Sequence, residues 1–198
     1  MNEEKGVYRF SDATAIILAG GKSSRMGGKD KSMLGINGEP MIQYIAKQLN
    51  GMFGDVIIGA TDIAKYAFLG LKVVPDCQTG MGPLAGLCSC LAASSHDLNF
   101  VTACDIPEMN GEYISRLFDA ASGADIVMPV SPGGRYEPLF ALYRRNVQLK
   151  AGELLAEGKR RISDLTDRVN TIYIRFDSGE WYHNLNSPDD FLQYISNR

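Results

Sequence analysis

Residues 13–31 read Ala13-Thr-Ala-Ile-Ile-Leu-Ala-Gly20-Gly-Lys-Ser-Ser-Arg25-Met-Gly-Gly-Lys-Asp-Lys31. The first seven are almost wholly apolar, rich in Ile and Leu, and too few for a comfortable helix. They predict a strand buried on both faces, as in a parallel sheet. The chain then turns on Gly20 and Gly21. Lacking Cβ atoms, these two can take positive φ and bring the backbone close to a ligand, and successive N–H groups in such a turn form an anion-binding hollow. Lys22, Arg25, Lys29 and Lys31 follow within ten residues, offset by Asp30 alone. Open α/β sheets place ligands at the carboxyl end of such a strand, and a cationic glycine turn there is suited to phosphates. It is not a Walker loop, because no pair of glycines five apart runs into Lys-Ser or Lys-Thr.

Working outward, further strands are predicted at residues 55–59, 71–74, 98–103 and 125–129. Helices alternate with them. One opens at Pro40 and runs to residue 50, and a short one is capped by Asp62. An apolar helix follows the segment Gly80-Met-Gly-Pro-Leu-Ala-Gly86 as far as residue 93, and another, capped by Asn110, reaches about residue 122. After Pro129 the texture changes. Ser131-Pro-Gly-Gly134 is a turn, and residues 136–145 begin extended and are expected to run into a helix. Helices follow near 147–156 and 162–167, then an alternating strand at 171–176. Ser187-Pro-Asp-Asp190 is a strong helix start, with Ser as N-cap, Pro at the first position and acids in the first turn. The alternation predicts an α/β fold, a mostly parallel twisted sheet with helices on both faces. The expected organisation is one domain over residues 1–198. Residues 13–130 form its nucleotide-binding half, 131–186 an acceptor subregion and 187–198 a closing helix.

Composition bounds the class. A chain of 198 residues buries roughly 70% of its unfolded surface, enough for a real core. The net charge of −3 argues against wholesale binding of nucleic acid or a membrane surface. No apolar run approaches the ~18–20 residues of a membrane span, and residues 1–12 are too polar for a signal peptide. The expected location is cytoplasmic. Cys77, Cys88, Cys90 and Cys104 lack zinc-site spacing and are expected to be reduced, mostly buried small hydrophobes. His96 and His183 offer little material for a histidine metal site or a Ser-His-Asp triad.

Three polar residues fall at predicted strand ends: Asp76, Asp105 and Asn186. Asp105 follows Phe100-Val-Thr-Ala-Cys104 and precedes Ile106-Pro107. A single acid at a strand tip facing a phosphate loop suits Mg²⁺, which takes one or two carboxylates and completes its octahedron with phosphate and water oxygens. Gly80-x-Gly82-x-x-Ala85 formally matches a dinucleotide fingerprint, but its glycines come several residues after the strand and a better phosphate loop lies upstream. Gly82 and Gly86 are read instead as letting the backbone approach a flat base. Lys159, Arg160 and Arg161 form a basic triplet that is either a solvated helix end or a site for a second anionic substrate.

Leu18-Ala-Gly-Gly with Arg25-Met-Gly and Asp30-Lys31 resembles the signature of the nucleotidyltransferase superfamily. Adding Gly82-Pro-Leu-Ala-Gly86, Ala103-Cys-Asp-Ile-Pro107, Glu137-Pro-Leu-Phe140 and Asn184-Leu-Asn-Ser-Pro188, in order, the chain is similar to molybdenum cofactor guanylyltransferases from about residue 13 onward. The resemblance implies a Rossmann-like three-layer sandwich that joins GTP to molybdenum-bound molybdopterin, releasing pyrophosphate with Mg²⁺ as cofactor. It implies that Leu18, Ala19, Gly20, Gly21 and Gly82 border the guanine nucleotide, with Lys31 on its phosphates, Asp76 at the nucleoside and Asp105 on the metal. Arg25 and Lys31 would offset charge on the transferred group and leaving pyrophosphate. Asn184 and Asn186 would face the metal or the pterin, and Lys159, Arg160 and Arg161 would meet the pterin's phosphate. Partners implied are the two substrates, with transient contact to cofactor-donating and cofactor-accepting proteins. One position departs from the pattern. Where some members carry an Asn for the nucleotide, this chain has Gly59, with Thr61 as the only nearby substitute. Two other readings differ in chemistry: a sister enzyme using CTP or a sugar phosphate, and a non-catalytic nucleotide sensor. Sister enzymes tend to carry Ala-Ala-Gly where this chain has Ala19-Gly-Gly21, and a sensor would be expected to lose Lys31 or Asp105.

Overall fold

The computed structural model describes residues 8–20, 30–78, 80–176 and 181–197. Its strands are β1 (Phe10–Leu18), β2 (Gly35–Ile36), β3 (Glu39–Pro40), β4 (Phe53–Gly59), β5 (Lys72–Val74), β6 (Leu98–Ala103), β7 (Ile126–Val130), β8 (Phe140–Arg144) and β9 (Thr171–Arg175). Its α-helices are α1 (Met41–Asn50), α2 (Pro83–Ala93), α3 (Gly111–Asp119), α4 (Val147–Ala156) and α5 (Pro188–Ser196).

β1 is the axis. Ala13, Ala15 and Ile17 point into one core, and Ile16 and Leu18 into the other. A strand with protein on both faces has no solvated positions to make polar, which is why its sequence is apolar without alternation. β4 and β6 pair parallel on its two sides, so that Leu18 stands between Gly59 and Ala103. The full sheet has seven strands in the order β5-β4-β1-β6-β8-β7-β9. Helices α1, α3 and α5 contribute to the first core, and α2 and α4 to the second. Residues 131–186 add β8, α4 and β9 to the same sheet and layers.

Residues 136–145 do not run into a helix. Residues 140–144 are β8, antiparallel to both β6 and β7. Phe140 and Leu142 fill one core, and Ala141 and Tyr143 the other. Burial on both faces overrides the helix preference of Leu and Ala here. The expected helix at 162–167 is a single 3₁₀ turn, Ile162–Leu165. The helix after Asp62 is also 3₁₀ (Ala64–Leu69), with the Lys65 N–H donating to Asp62 Oδ1 at 3.2 Å. Pro40 stands at the N-cap of α1 and pairs with Gly35 across a small hairpin turned by Asn37 and Gly38, both at positive φ. The caps of α3 and α5 form as expected. Asn110 Oδ1 accepts from Tyr113 N–H at 2.9 Å, and Ser187 with Asp190 makes a reciprocal capping box.

All four cysteines are free thiols. Burial pushes Cys90 up to about 12. Cys104 is pushed up to about 12 by burial first and by the neighbouring Asp105 charge second. Among the described residues no helix is long and apolar enough to cross a membrane. Because β8 alone runs against the others, the carboxyl ends of β1, β4, β5, β6, β7 and β9 share one edge with the amino end of β8.

Candidate active site

At that edge the pairing of β1 and β6 continues one step past the strands, where Cys104 N–H donates to Leu18 O at 3.2 Å. Asp105 comes next. Its own carbonyl accepts from Leu185 N–H at 2.9 Å, which ties the segment before α5 to the tip of β6. From below, Gln48 on α1 holds the following turn twice. Its amide donates to Pro107 O at 2.8 Å, and its carbonyl oxygen accepts from Met109 N–H at 3.2 Å. Asp105 thus stands on a backbone fixed from three sides.

Three residues widely separated in sequence converge there. Lys31 Nζ donates to Asp105 Oδ2 at 3.3 Å and to Asn186 Oδ1 at 3.4 Å. The Lys31 and Asp105 side chains are 16% and 21% exposed, so the pair is shielded but reachable. Asn186 is held by the capping box of α5, since Asp190 Oδ2 accepts from the N–H groups of Asn186 at 3.0 Å and Ser187 at 2.8 Å. The Ser187 side chain first, and then the N–H groups of Ser187 and Asn186, hold the Asp190 carboxyl below the usual carboxylate range. Two hard oxygen donors, Asp105 Oδ2 and Asn186 Oδ1, meet on one cation. This donor chemistry suits an oxygen-loving divalent ion completed by phosphate oxygens. Among the described residues no group of three or more His, Cys, Asp or Glu side chains could hold a metal by itself.

Asn184 is exposed two residues before Asn186, whose N–H donates to Asn184 O at 3.0 Å. Beside it, Tyr182 Oη donates to Glu137 Oε2 at 2.9 Å. Burial, and after it the Glu137 charge, pushes the Tyr182 hydroxyl far above the ordinary phenol range, so it stays protonated. The Glu137-Pro-Leu-Phe140 motif therefore braces the asparagine segment from the amino end of β8.

On the other side of β1, Asp76 follows β5 and is half-buried. Burial raises its carboxyl above the usual range. Its Oδ1 lies 3.1 Å from where a Cβ on Gly86 would stand, and Leu18 Cδ2 lies 3.4 Å from the same point. A side chain on Gly86 would thus crowd Asp76 and touch Leu18. Gly82 caps α2 at φ +70, with Arg160 O 3.2 Å from its would-be Cβ. The backbone approach there is made by Arg160, which brings Lys159, Arg160 and Arg161, all exposed, to the amino end of α2. A Cβ on Gly59 would fall 2.7 Å from both Cys90 Sγ and Leu18 Cδ2, so these buried side chains would have to shift to admit one. By contrast, no described atom lies within 4 Å of a Cβ built on Gly20. Ala19 N–H donates to Gly59 O at 2.8 Å, which carries the β1–β4 pairing up to the loop. Gly21, Lys22, Arg25 and Lys29 lie outside the described residues.

Asp76 lends itself to a test of its electrostatic environment. A carboxyl whose folded pKa is raised binds its proton more tightly folded than unfolded, so its ionisation costs stability above that pKa. Asp76→Asn is expected to raise Tm near neutral pH, the gain shrinking as pH falls through the acid range where wild-type Asp76 is protonated in both states. Thermal melts at several pH values read this directly. A difference from wild type that stays constant with pH would contradict it.

Sequence reading grouped Asp76, Asp105 and Asn186 as strand-end residues and placed Lys31 separately in the loop; the structure brings Lys31, Asp105 and Asn186 together and leaves Asp76 after β5, on the other side of β1. Three further side chains at the edge, Ser32, Tyr66 and Tyr182, were not singled out, and Glu137 was named only as part of a motif. They act through partners distant in sequence, and only the Glu137 motif left a local trace.

A carboxylate, a lysine and a carboxamide gathered at the carboxyl edge of a mostly parallel sheet, where β1 ends in Ala19-Gly20, mark the class of nucleotidyltransferases. The family described as MobA-like NTP transferase domain matches residues 15–171, and the chain belongs to it. The chain is 32% identical over 180 residues to a molybdenum cofactor guanylyltransferase of Yersinia pestis, covering 89% of this chain and 92% of the relative. Among solved structures it resembles molybdopterin-guanine dinucleotide biosynthesis protein A from Archaeoglobus fulgidus, with a TM-score of 0.79 at 21% identity over 93% of this chain and 97% of the other. It also resembles a nucleotidyl transferase from Methanothermobacter, with a TM-score of 0.71 at 18% identity over 93% and 96%. The structural likenesses show the fold, and the sequence relative shows the family.

Proposed function

We propose that this chain transfers GMP from GTP to the terminal phosphate of molybdenum-bound molybdopterin, forming the guanine dinucleotide cofactor and releasing pyrophosphate. The observation that carries the proposal is the convergence of Lys31, Asp105 and Asn186. The name of the Yersinia relative supports the choice of substrates. Residues 13–130 serve as the nucleotide half and residues 131–186 as the acceptor subregion, with α5 closing the sheet.

The chemistry follows from charge. The attacking group is a phosphate oxygen, already anionic, so no general base is needed. The difficulty is to bring two anions together at the α-phosphorus and let pyrophosphate depart. Positioning and neutralisation supply the catalysis. Leu18, Ala19, Gly20 and Gly21 border the nucleotide, with Asp76 at the nucleoside and Gly82 opposite. The missing Cβ at Gly20 favours a purine over the smaller base of the CTP-using alternative. Asp105 and Asn186 would hold Mg²⁺ through oxygen, and the ion would supply positive charge to offset that of the phosphates. Lys31 moves its ammonium from Asp105 onto the phosphates, and Arg25 adds charge on the leaving side. Lys159, Arg160, Arg161 and Asn184 receive the acceptor.

Lys31→Ala is expected to lose one charge-assisted phosphate contact, lowering kcat/KM by about 2–3 kcal/mol of transition-state stabilisation. Steady-state kinetics check it, and an unchanged kcat/KM would contradict it. The function itself is tested by offering GTP, CTP, ATP and UTP with Mg²⁺ and the pterin acceptor and following pyrophosphate release. Release with GTP that depends on the acceptor is expected. Preference for CTP would move the chain to a sister activity, and nucleotide binding without turnover would make it a sensor.

A further inference from the structure

Tyr66 belongs to none of the motifs above, yet both ends of the phosphate loop meet on its hydroxyl. It lies on the 3₁₀ helix Ala64–Leu69 and is 1% exposed. Its Oη stands 3.3 Å from Ala19 O, just before the loop, and 3.0 Å from Ser32 Oγ, just after it.

The protons can be assigned. Ser32 Oγ lies 2.6 Å from Asp30 Oδ1, and the Ser32 N–H donates to the same oxygen at 2.9 Å. An ionised carboxylate can only accept, so the single hydroxyl proton of Ser32 goes to Asp30. The Tyr66 proton is then left to Ser32 Oγ and Ala19 O. The phenol must stay protonated for this, and burial, which raises its pKa, keeps it so. The adjacent Lys65 forms an ion pair with Asp30. Asp30 and Lys31 thus diverge, Asp30 into this cluster and Lys31 towards Asp105 and Asn186.

We propose that Tyr66 is a positioning residue for nucleotidyl transfer: through Ser32 and Asp30 it sets the backbone from which Lys31 reaches the phosphates, and through Ala19 O it holds the end of β1. The proposal rests on the reading of Lys31 given above. A misplacement of the order of 1 Å suffices to cost much of a rate that depends on positioning.

The test is a double-mutant cycle. Tyr66→Phe keeps the buried ring and removes only the hydroxyl, so thermal melts should show a folded protein close to wild type. In the wild-type background kcat is expected to fall about tenfold or more, with KM for GTP rising. In the Lys31→Ala background the same change is expected to have little further effect on kcat, because the group it positions is gone. Ser32→Ala should behave like Tyr66→Phe, and Ser32→Thr, which keeps a hydroxyl, should recover part of the loss. Unchanged kinetics in Tyr66→Phe, or an equal fall in both backgrounds, overturns the positioning role while leaving the wild-type activity standing. A wild type that turns over no nucleotide overturns the functional reading and this inference together.

Discussion

Asp105→Ala is expected to lower kcat/KM by about two orders of magnitude or more, while the circular dichroism spectrum and Tm remain close to wild type. The activity loss follows because Asp105 is the one carboxylate bonded to Lys31 at the edge among the described residues. Without it, Asn186 Oδ1 alone cannot match the charge of a divalent ion. The small stability effect has a separate reason. At 16% and 21% exposed, the Lys31 and Asp105 side chains both still reach water, so the Lys31 ammonium left behind is not stranded. The backbone of Asp105 is held through Leu185 and the β1 extension, not through its side chain. Asp105→Asn sharpens the test, since it keeps an acceptor for Lys31 but removes the charge, and it is expected to be nearly as inactive. Kinetics across a Mg²⁺ titration, with melts on the same preparations, are the check. Wild-type turnover in either variant would remove Asp105 from the metal site.

Gly59→Asn is expected to destabilise the fold severely and gain nothing in nucleotide binding. A Cβ at residue 59 would fall 2.7 Å from Cys90 Sγ and from Leu18 Cδ2, and both of those residues are buried. Overpacking of this kind costs about 1–3 kcal/mol, and burying a carboxamide without partners adds about 1–3 more. For a chain this size each kcal/mol moves Tm by about 2–4 °C, so the combined cost of about 2–6 kcal/mol predicts a fall of about 4–24 °C. Cys90→Ala should restore part of the loss by opening the space from the other side. The departure from the family pattern at residue 59 thus has a packing cause. β4 and α2 are drawn together too closely for an Asn, and Leu18 at the head of the loop leans into the gap. A Gly59→Asn chain that melts like wild type would show that α2 yields easily, and would reopen the position to a nucleoside contact.

The parts of the fold that were legible are those in which one local signal had one physical cause. β1 is almost wholly apolar from Ala13 to Leu18, where both its faces are covered, and Asn110 and Ser187 cap helices with their own side chains. β8 was not legible, because Leu139-Phe-Ala-Leu-Tyr143 suits a helix as well as a strand. Only its place between β6 and β7 decides the matter. The hairpin at Asn37-Gly38 did carry a recognised turn dipeptide, but its strands are two residues each and buried under a longer helical pattern. In the site, the strand-tip acids could be read because the topology of an α/β sheet puts such residues at one edge. Tyr66 and Tyr182 could not, since their partners lie 47 and 45 residues away and neither type nor spacing marks them. The glycines were readable as close approaches but not as to what approaches. At Gly82 it is Arg160, and at Gly86 it is Asp76 with Leu18.

The central claim is that Lys31, Asp105 and Asn186 serve transfer of a nucleotidyl group onto a phosphate acceptor. The most direct measurement is to incubate the protein with Mg²⁺, the pterin acceptor and GTP labelled at the α-phosphate, and to locate the label. The account predicts label in a pterin dinucleotide, formed in equal amount with pyrophosphate, absent without acceptor and abolished in Asp105→Ala. Label recovered as free GMP or GDP, or transferred more readily from CTP than from GTP, would contradict it.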